Sequence, residues 1–345
     1  MTAALERVAW RAWTGQSVGG RSLRAALVPA ALAYGALATL RNRLYDAGWL
    51  GATRVPAHVV SVGNLAVGGT GKTPTALWLA TRLTARGLRT GIVARGYRKR
   101  RRGVVIVGEG GRPLVGPEEG GDEAVMLARR FAGPVVTGER RGAAAALACG
   151  RFALDAVVLD DGFQHRALAR DADLVLVSEG TAQAWPLPAG PLREPVRALE
   201  RARALLALDG AVCPAGGIPL FRGRLVARGL VRAAADGTWR EEPLGGLRGV
   251  RVIAVAGVAR PERFLATLAE AGARVDRVLH FPDHHLYRPA DARRIAAAAG
   301  GGPVVTTEKD LVKLARFPTL DTMCAVRIDL EVDDGERLVD LLVER

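Results

Sequence analysis

From His58 onward, short apolar runs alternate with longer stretches whose apolar positions recur every three or four residues. The runs read "HVVSVGN", "RTGIVARG", "GPVVTG", "DAVVLDD" and "DADLVLVS", and between them the spacing predicts helices over 73–86, 122–131 and the alanine-rich 139–149. Consecutive apolar residues in runs this short suit strands covered on both faces. The pattern therefore predicts an α/β core, a doubly wound, mostly parallel sheet with helices on each side. Residues 211–248 lose the periodicity, apart from a possible strand at "FRGRLVARGL". A second series follows: "RVIAVAGV", a helix in "PERFLATLAEAG", "RVDRVLHF", a helix in "DARRIAAAAG", "GPVVTTEKD", "CAVRIDLEV" and a closing helix. The linear division this predicts is an apolar helical segment over 1–50, a core over 51–210 and a smaller α/β domain over 211–345.

Ahead of the core, "AALVPAALAYGALATL" fills the space between Arg24 and Arg41. Its 16 residues, interrupted by Pro29 and Gly35, fall short of the roughly 20 that cross a bilayer. No compact basic start precedes it, so the run lacks the arrangement expected of a signal peptide. With Trp10, Trp13 and the flanking arginines it suits a helix lying in the headgroup layer of a membrane, and a buried helical hairpin fits the same pattern equally well.

A chain of 345 residues with 49% apolar content can bury a substantial core in each part, which excludes disorder. Cys149, Cys213 and Cys324 are odd in number and too far apart for a C-x-x-C pair, as expected in a reducing compartment without a disulfide framework. Lysine and arginine outnumber aspartate and glutamate by 49 to 35, a net charge of +14, which suits an anionic partner: nucleic acid, an anionic membrane or a phosphorylated substrate. Nearly all these cations are arginine; Lys72, Lys99, Lys309 and Lys313 are the only lysines. At 5% aromatic content the chain lacks the interleaved rings that stack on bases, and no nucleic acid partner is expected.

The stretch "SVGNLAVGGTGKT", residues 61–73, leaves a strand through a glycine-rich turn and enters a helix. Gly68, Gly69 and Gly71 let the backbone curl around Thr70 so that successive N–H groups face a phosphate, and the helix adds its positive end. Lys72 then reaches the β- and γ-phosphates of ATP and Thr73 offers a hydroxyl to Mg²⁺. One departure stands out. The usual G-x-x-x-x-G-K-[ST] spacing asks for glycine at position 66, where the chain has Ala66, with Gly63 nearby instead. Downstream, "DAVVLDDGFQH" ends an apolar strand in Asp160 and Asp161, at the sheet edge where α/β proteins hold ligands. Either could hold Mg²⁺; taken alone, a turn or helix cap explains them as well.

The blocks "VGNLAVGGTGKTP", "ARGY", "GDEAVMLARR", "DDGFQHRALARDADLVLV", "PLPAGPLREP", "FPDHHLY" and "TTEKDLVKL" together resemble the tetraacyldisaccharide 4′-kinase family of Gram-negative bacteria, from about residue 20 to 330. The family's own loop lacks the first glycine, in keeping with Ala66. The resemblance implies a P-loop NTPase-like core with a second, smaller α/β domain closing over the active site and a membrane-associated N-terminal helical segment. The implied reaction transfers the ATP γ-phosphate to the 4′-hydroxyl of a tetraacylated glucosamine disaccharide 1-phosphate, giving lipid IVA. The implied location is the cytoplasmic face of the inner membrane, and no obligate protein partner is implied. It also implies that Asp122 and His284 act as a coupled pair readying the acceptor hydroxyl, and that Glu194 joins Thr73 and Asp160 or Asp161 around Mg²⁺. Arg95, Arg140, Arg141, Arg193 and His165 lie in family-like blocks as candidates for nucleotide or acceptor phosphate. By the residues alone, Asp122 reads equally as the N-cap of its helix, His165 as a structural histidine and Thr307 as a helix cap. The run "RKRRR" at 98–102 departs from the family pattern, and its role stays open between lipid headgroups and a charged loop tip.

Overall fold

The computed structural model describes Trp13 and residues 18–178, 180–208, 210–211, 216–234, 238–320 and 322–344; Trp10 and Cys213 lie outside the described residues. The elements begin with α1 (Val18–Asp46), β1 (His58–Asn64), α2 (Lys72–Ala85), β2 (Thr90–Ala94), β3 (Val105–Glu109), β4 (Arg112–Pro113), α3 (Pro117–Gly120), α4 (Asp122–Arg130) and β5 (Val135–Thr137). They continue with α5 (Arg141–Phe152), β6 (Ala156–Asp160), β7 (Ala172–Val177), β8 (Ala204–Leu208), β9 (Leu220–Ala233), β10 (Trp239–Pro243) and β11 (Arg251–Ala256). The last are α6 (Pro261–Glu270), β12 (Arg274–His280), α7 (Pro289–Ala299), β13 (Val304–Thr307), α8 (Glu308–Leu314), β14 (Met323–Val332) and α9 (Gly335–Val343). They group into two compact units, one of residues 1–95, 140–224 and 331–345 and another of 96–139 and 225–330. The linear division at 50 and 210 differs from this grouping, which puts 1–50, 211–224 and 331–345 with most of the core and puts 96–139 with the later residues.

In the first unit the strands run parallel in the order β8-β7-β1-β6-β2, with the start of β9 beside β8. β2, β6, β7 and β8 are buried at every position, and β1 at all but its first. Burial on both faces explains why these segments read as unbroken apolar runs. From β1 the chain proceeds through α2 to β2 on one side, while β7 and β8 lie on the other. This reversal opens a crevice at the carboxyl ends of β1 and β6.

α1 corrects the expectation of an interrupted run or a hairpin: one helix of 29 residues continues through Pro29 and Gly35. At 1.5 Å per residue it is about 43 Å long, and Gly19–Asp46 is by length and composition sufficient to cross a bilayer. Its buried positions Gly20, Ala31, Gly35 and Asn42 return to a single face. A Cβ at Gly35 would come within 3.3 Å of Pro195 and 3.5 Å of Pro186, so glycine sets how closely the helix approaches that segment. The opposite side is apolar and open, with Leu32, Leu37 and Leu40 exposed by 58%, 67% and 54%.

The second unit holds a sheet in the order β12-β11-β13-β14-β9-β10, in which β11 to β14 are parallel and the β9–β10 hairpin is antiparallel. Period-two alternation splits its side chains between two cores. Ile253, Val255, Val304, Met323 and Ala325 pack with α7 and α8, while Val252, Ala254, Val305, Cys324 and Val326 pack with Phe264 and Leu268 of α6. A smaller antiparallel ribbon of β3, β4 and β5 supports α4.

Candidate active site

At the end of β1 the chain does two things in succession. Ala66 first pairs antiparallel with Leu192, Val67 N–H donates to Pro191 O at 2.9 Å and Arg193 N–H to Leu65 O at 2.8 Å. Extended backbone needs no glycine, which is the physical reason alanine serves at 66. The turn itself comes later: Gly68 and Gly71 have φ of 111° and 88°, where a Cβ is strained. Gly63 has a different task. A Cβ there would lie 2.5 Å from Phe163 Cβ and 2.9 Å from Phe163 N, so its absence lets β1 meet the segment leaving β6.

Asn64 braces the loop from beneath, donating to Ala66 O at 2.6 Å and to Thr70 Oγ1 at 2.8 Å. α2 then starts at Lys72, with Pro74 in its first turn where no N–H is needed. Lys72 Nζ folds back to Gly68 O at 3.3 Å and lies 3.7 Å from Asp161. Thr73 Oγ1 donates to Asp160 Oδ2 at 3.0 Å, bringing a hydroxyl and a carboxylate together at the mouth of the crevice.

The two aspartates differ. Asp160 is buried at the end of β6, whereas Asp161 has a φ of 55° and is held by Arg193 at 2.9 Å. Burial would raise the Asp161 carboxyl, but Lys72, Arg193 and Arg141 more than reverse this and hold it below the ordinary carboxylate range. Glu194 is engaged elsewhere. Only 1% exposed, its carboxylate accepts from Arg41 at 3.1 Å, Asn42 at 2.8 Å and Arg201 at 2.9 Å, joining α1 to the core. Tyr34 adds a hydrogen bond to Arg193 O at 2.9 Å.

His165 lies among arginines. Its Nε2 accepts from Arg141 N–H at 3.3 Å, so the ring proton sits on Nδ1. Burial, together with the charges of Arg141, Arg170, Arg95 and Arg41, pushes it down to about 4. A neutral imidazole ringed by guanidinium groups marks a region whose field favours an anion. Arg141 is buried, whereas Arg95 and Arg140 are exposed at the end of β2 and the start of α5.

The second unit brings Asp122 and His284 together across 162 residues of sequence, with His284 Nδ1 3.0 Å from both carboxylate oxygens. Asp122 is the first residue of α4, Gly121 occupies the N-cap position, and the aspartate accepts its neighbour Glu123 N–H at 2.9 Å. The N-cap reading is thus corrected. Lys313 Nζ lies 3.3 Å from Asp122, while Lys309 Nζ lies 3.1 Å from His284 Nε2, 2.7 Å from Asp283 and 3.3 Å from Glu123. Burial favours the neutral acid at Asp122, yet His284, Lys309 and Lys313 outweigh it and keep the carboxyl far below its usual range.

His284 stands in a tight turn at φ 58°, its ring 4.6 Å from that of Tyr97. Arg98 donates to the carbonyls of Asp283 and His284 at 3.3 and 3.5 Å. Most of the "RKRRR" run is similarly occupied: Lys99 pairs with Glu139, Arg100 with Glu118 and Arg101 with Glu119. Thr307 caps α8 as the sequence suggested, accepting from Asp310 N–H. Sequence reading missed Asn64, the Arg41–Asn42–Arg201 cradle and the attachment of Lys309 and Lys313 to the Asp122–His284 pair.

A left-handed glycine turn that opens a helix with lysine and threonine, set against an acidic strand end in a parallel sheet, defines a P-loop nucleotide-binding enzyme. Known proteins narrow the class. The profile of the family described as Tetraacyldisaccharide-1-P 4′-kinase matches residues 23–345. Tetraacyldisaccharide 4′-kinases of Anaeromyxobacter sp. (strain Fw109-5) and Azoarcus sp. (strain BH72) are 43% and 42% identical over 355 and 336 residues, each alignment covering 96% of this chain and 93% of the relative. The fold is similar to the crystal structure of "apo" form LpxK from Aquifex aeolicus in complex with ATP, with a TM-score of 0.80 and 33% identity over 93% of this chain and 98% of that one. The chain belongs to the tetraacyldisaccharide-1-P 4′-kinase family, and its activity is that of a kinase.

Proposed function

We propose that this chain transfers the γ-phosphate of ATP to the 4′-hydroxyl of a tetraacylated glucosamine disaccharide 1-phosphate, giving lipid IVA, at the cytoplasmic face of the inner membrane. The observation that carries the reading is the loop at 68–73, with Thr73 against Asp160, in a chain that matches this kinase family almost end to end.

Backbone amides of Gly68, Gly69, Thr70 and Gly71 cradle the phosphates, and Lys72 leaves Gly68 O and Asp161 to follow charge onto the γ-phosphate. The oxygen pair of Thr73 and Asp160 fits Mg²⁺, a hard ion that keeps several waters, and these two residues would hold it. When bound with ATP, Mg²⁺ neutralises charge on the β- and γ-phosphates. Glu194 does not offer a free oxygen pair to that site, because its three donors already take both atoms. Asp161 and Arg193 orient each other and Lys72, while Arg95, Arg140, Arg141 and neutral His165 favour the anionic acceptor or nucleotide.

Asp122 serves as the proton acceptor for the sugar hydroxyl. A strongly depressed carboxyl is a weak base toward a free alcohol. In a loose phosphoryl-transfer transition state the proton leaves late, once bonding to phosphorus has made the hydroxyl acidic, and a weak, well-placed base then suffices. The open leucine face of α1 rests in the membrane surface, where the acceptor's acyl chains lie.

The test is transfer of labelled phosphate from ATP to the disaccharide 1-phosphate in detergent with magnesium, comparing the native chain with Lys72→Ala and Asp122→Ala. The reading requires native transfer at the 4′ position, and an unmodified acceptor refutes it. For the membrane surface, Leu37→Asp should weaken co-sedimentation with anionic vesicles; undiminished binding refutes that part.

A further inference from the structure

The partners of His284 fix where its protons are. An ammonium group donates and cannot accept, so Lys309 Nζ, 3.1 Å away, is bonded to the lone pair of Nε2. A carboxylate only accepts, so Nδ1, 3.0 Å from the Asp122 oxygens, carries the hydrogen. The ring therefore sits between a donor and an acceptor with a single proton. Left with Asp122 alone, an imidazole gains from becoming a cation.

We propose that Lys309 is a positioning residue: its ammonium occupies the Nε2 lone pair of His284 and so keeps the ring a neutral Nδ1–H donor to Asp122, excluding the imidazolium that the carboxylate would otherwise stabilise. The catalytic consequence rests on the reading of Asp122 as proton acceptor. With a neutral ring in contact, that carboxylate retains more affinity for the acceptor's proton than it would beside a cation. Burial would discharge Lys309, but Glu123, Asp122 and Asp283 hold it protonated well beyond the ordinary lysine range. The other groups facing the ring are Asp283, whose Oδ2 is 3.7 Å from Nε2, and Tyr97; Lys313 acts on it through Asp122 and Arg98 through the backbone carbonyls. All of these lie within the second unit.

Histidine ¹⁵N NMR of the full chain reads the ring directly, with His284→Gln assigning the signal. At neutral pH the native ring should show a protonated Nδ1 and an unprotonated, hydrogen-bonded Nε2. Lys309→Met should gain the second ring proton, and Lys309→Arg, which still donates, should keep the single one. In the phosphotransfer assay Lys309→Met should lose kcat/KM on the acid side of neutrality, where its ring takes up the second proton and weakens Asp122 as a base, and Lys309→Arg should keep the native profile.

A native ring protonated on both nitrogens or on Nε2 overturns the proposal, as does a folded Lys309→Met variant whose ring is unchanged. The native spectrum needs no substitution, so failure of the methionine variant to fold leaves the idea open to refutation. If instead Asp122→Asn transfers phosphate at the native rate while the ring behaves as described, the fault lies with the base assignment and not with Lys309.

Discussion

Replacing Glu194 with alanine removes a carboxylate that is 1% exposed and meets donors from two directions. The Asn42 amide at 2.8 Å and the Arg201 guanidinium at 2.9 Å make charge-assisted hydrogen bonds in buried surroundings, each worth roughly 1.5–3 kcal/mol. Arg41 is 43% exposed, so solvent screens its pair to below about 1 kcal/mol. The larger cost is Arg201, 17% exposed, left as a cation without its counter-charge. Breaking a buried pair on one side costs about 3–5 kcal/mol, and that figure already contains most of the individual bonds. At roughly 2–4 °C per kcal/mol, the thermal midpoint should fall by about 6–20 °C. Glu194→Gln, which keeps an acceptor but loses charge, should fall between. Calorimetry with and without Mg·ATP is the assay, with limited proteolysis between Asp46 and β1 reporting detachment of α1. An alanine variant that melts with the native chain and has lost only the magnesium dependence of ATP binding would refute this account and make Glu194 a metal group.

Lys72→Ala should lower turnover by at least ~10²-fold through loss of charge at the transferring phosphate, with the fold intact by circular dichroism; an active variant removes the nucleotide assignment. Gly63→Ala drives a methyl group to 2.5 Å from Phe163 Cβ and should cost about 1–3 kcal/mol in urea unfolding. Asp122 has its carboxyl depressed on folding, so its stabilising contribution is complete above the unfolded value of about 4 and is lost as pH falls through the folded one. Asp122→Asn should accordingly be less stable than the native chain at neutral pH and show a shallower loss below about pH 4, with ATP affinity changed far less than kcat.

The strands of the first unit were legible because burial on both faces writes itself into sequence as unbroken apolar runs, and the loop was legible because only glycine tolerates the backbone at 68 and 71. Residues 96–139 were not assignable to their unit, since local periodicity says nothing about which sheet a segment joins. Pro29 and Gly35 misled in the same way: both are breakers in isolation, yet proline faces outward from α1 and glycine serves close approach to Pro195. The Asp122–His284 pairing came from family likeness alone. Lysine usage carried a signal that went unread. In a chain with four lysines among 49 cations, three of the four sit at the phosphate loop or the Asp122–His284 pair, where a compact ammonium is needed and a guanidinium fork does not fit. The Glu194 cradle had no such marker, because its donors lie 152 residues away in α1 and seven residues ahead in an irregular stretch.

The backbone from Pro191 to Arg193 fastens the nucleotide loop, and the side chains of Pro186, Glu194 and Pro195 fasten α1. Two neighbours thus inspect every substitution made in this short stretch, one reading its amides and the other its surface. A chimera that borrows α1 from a relative will need to borrow these residues with it, or the graft will come loose at one end and slacken the phosphate grip at the other.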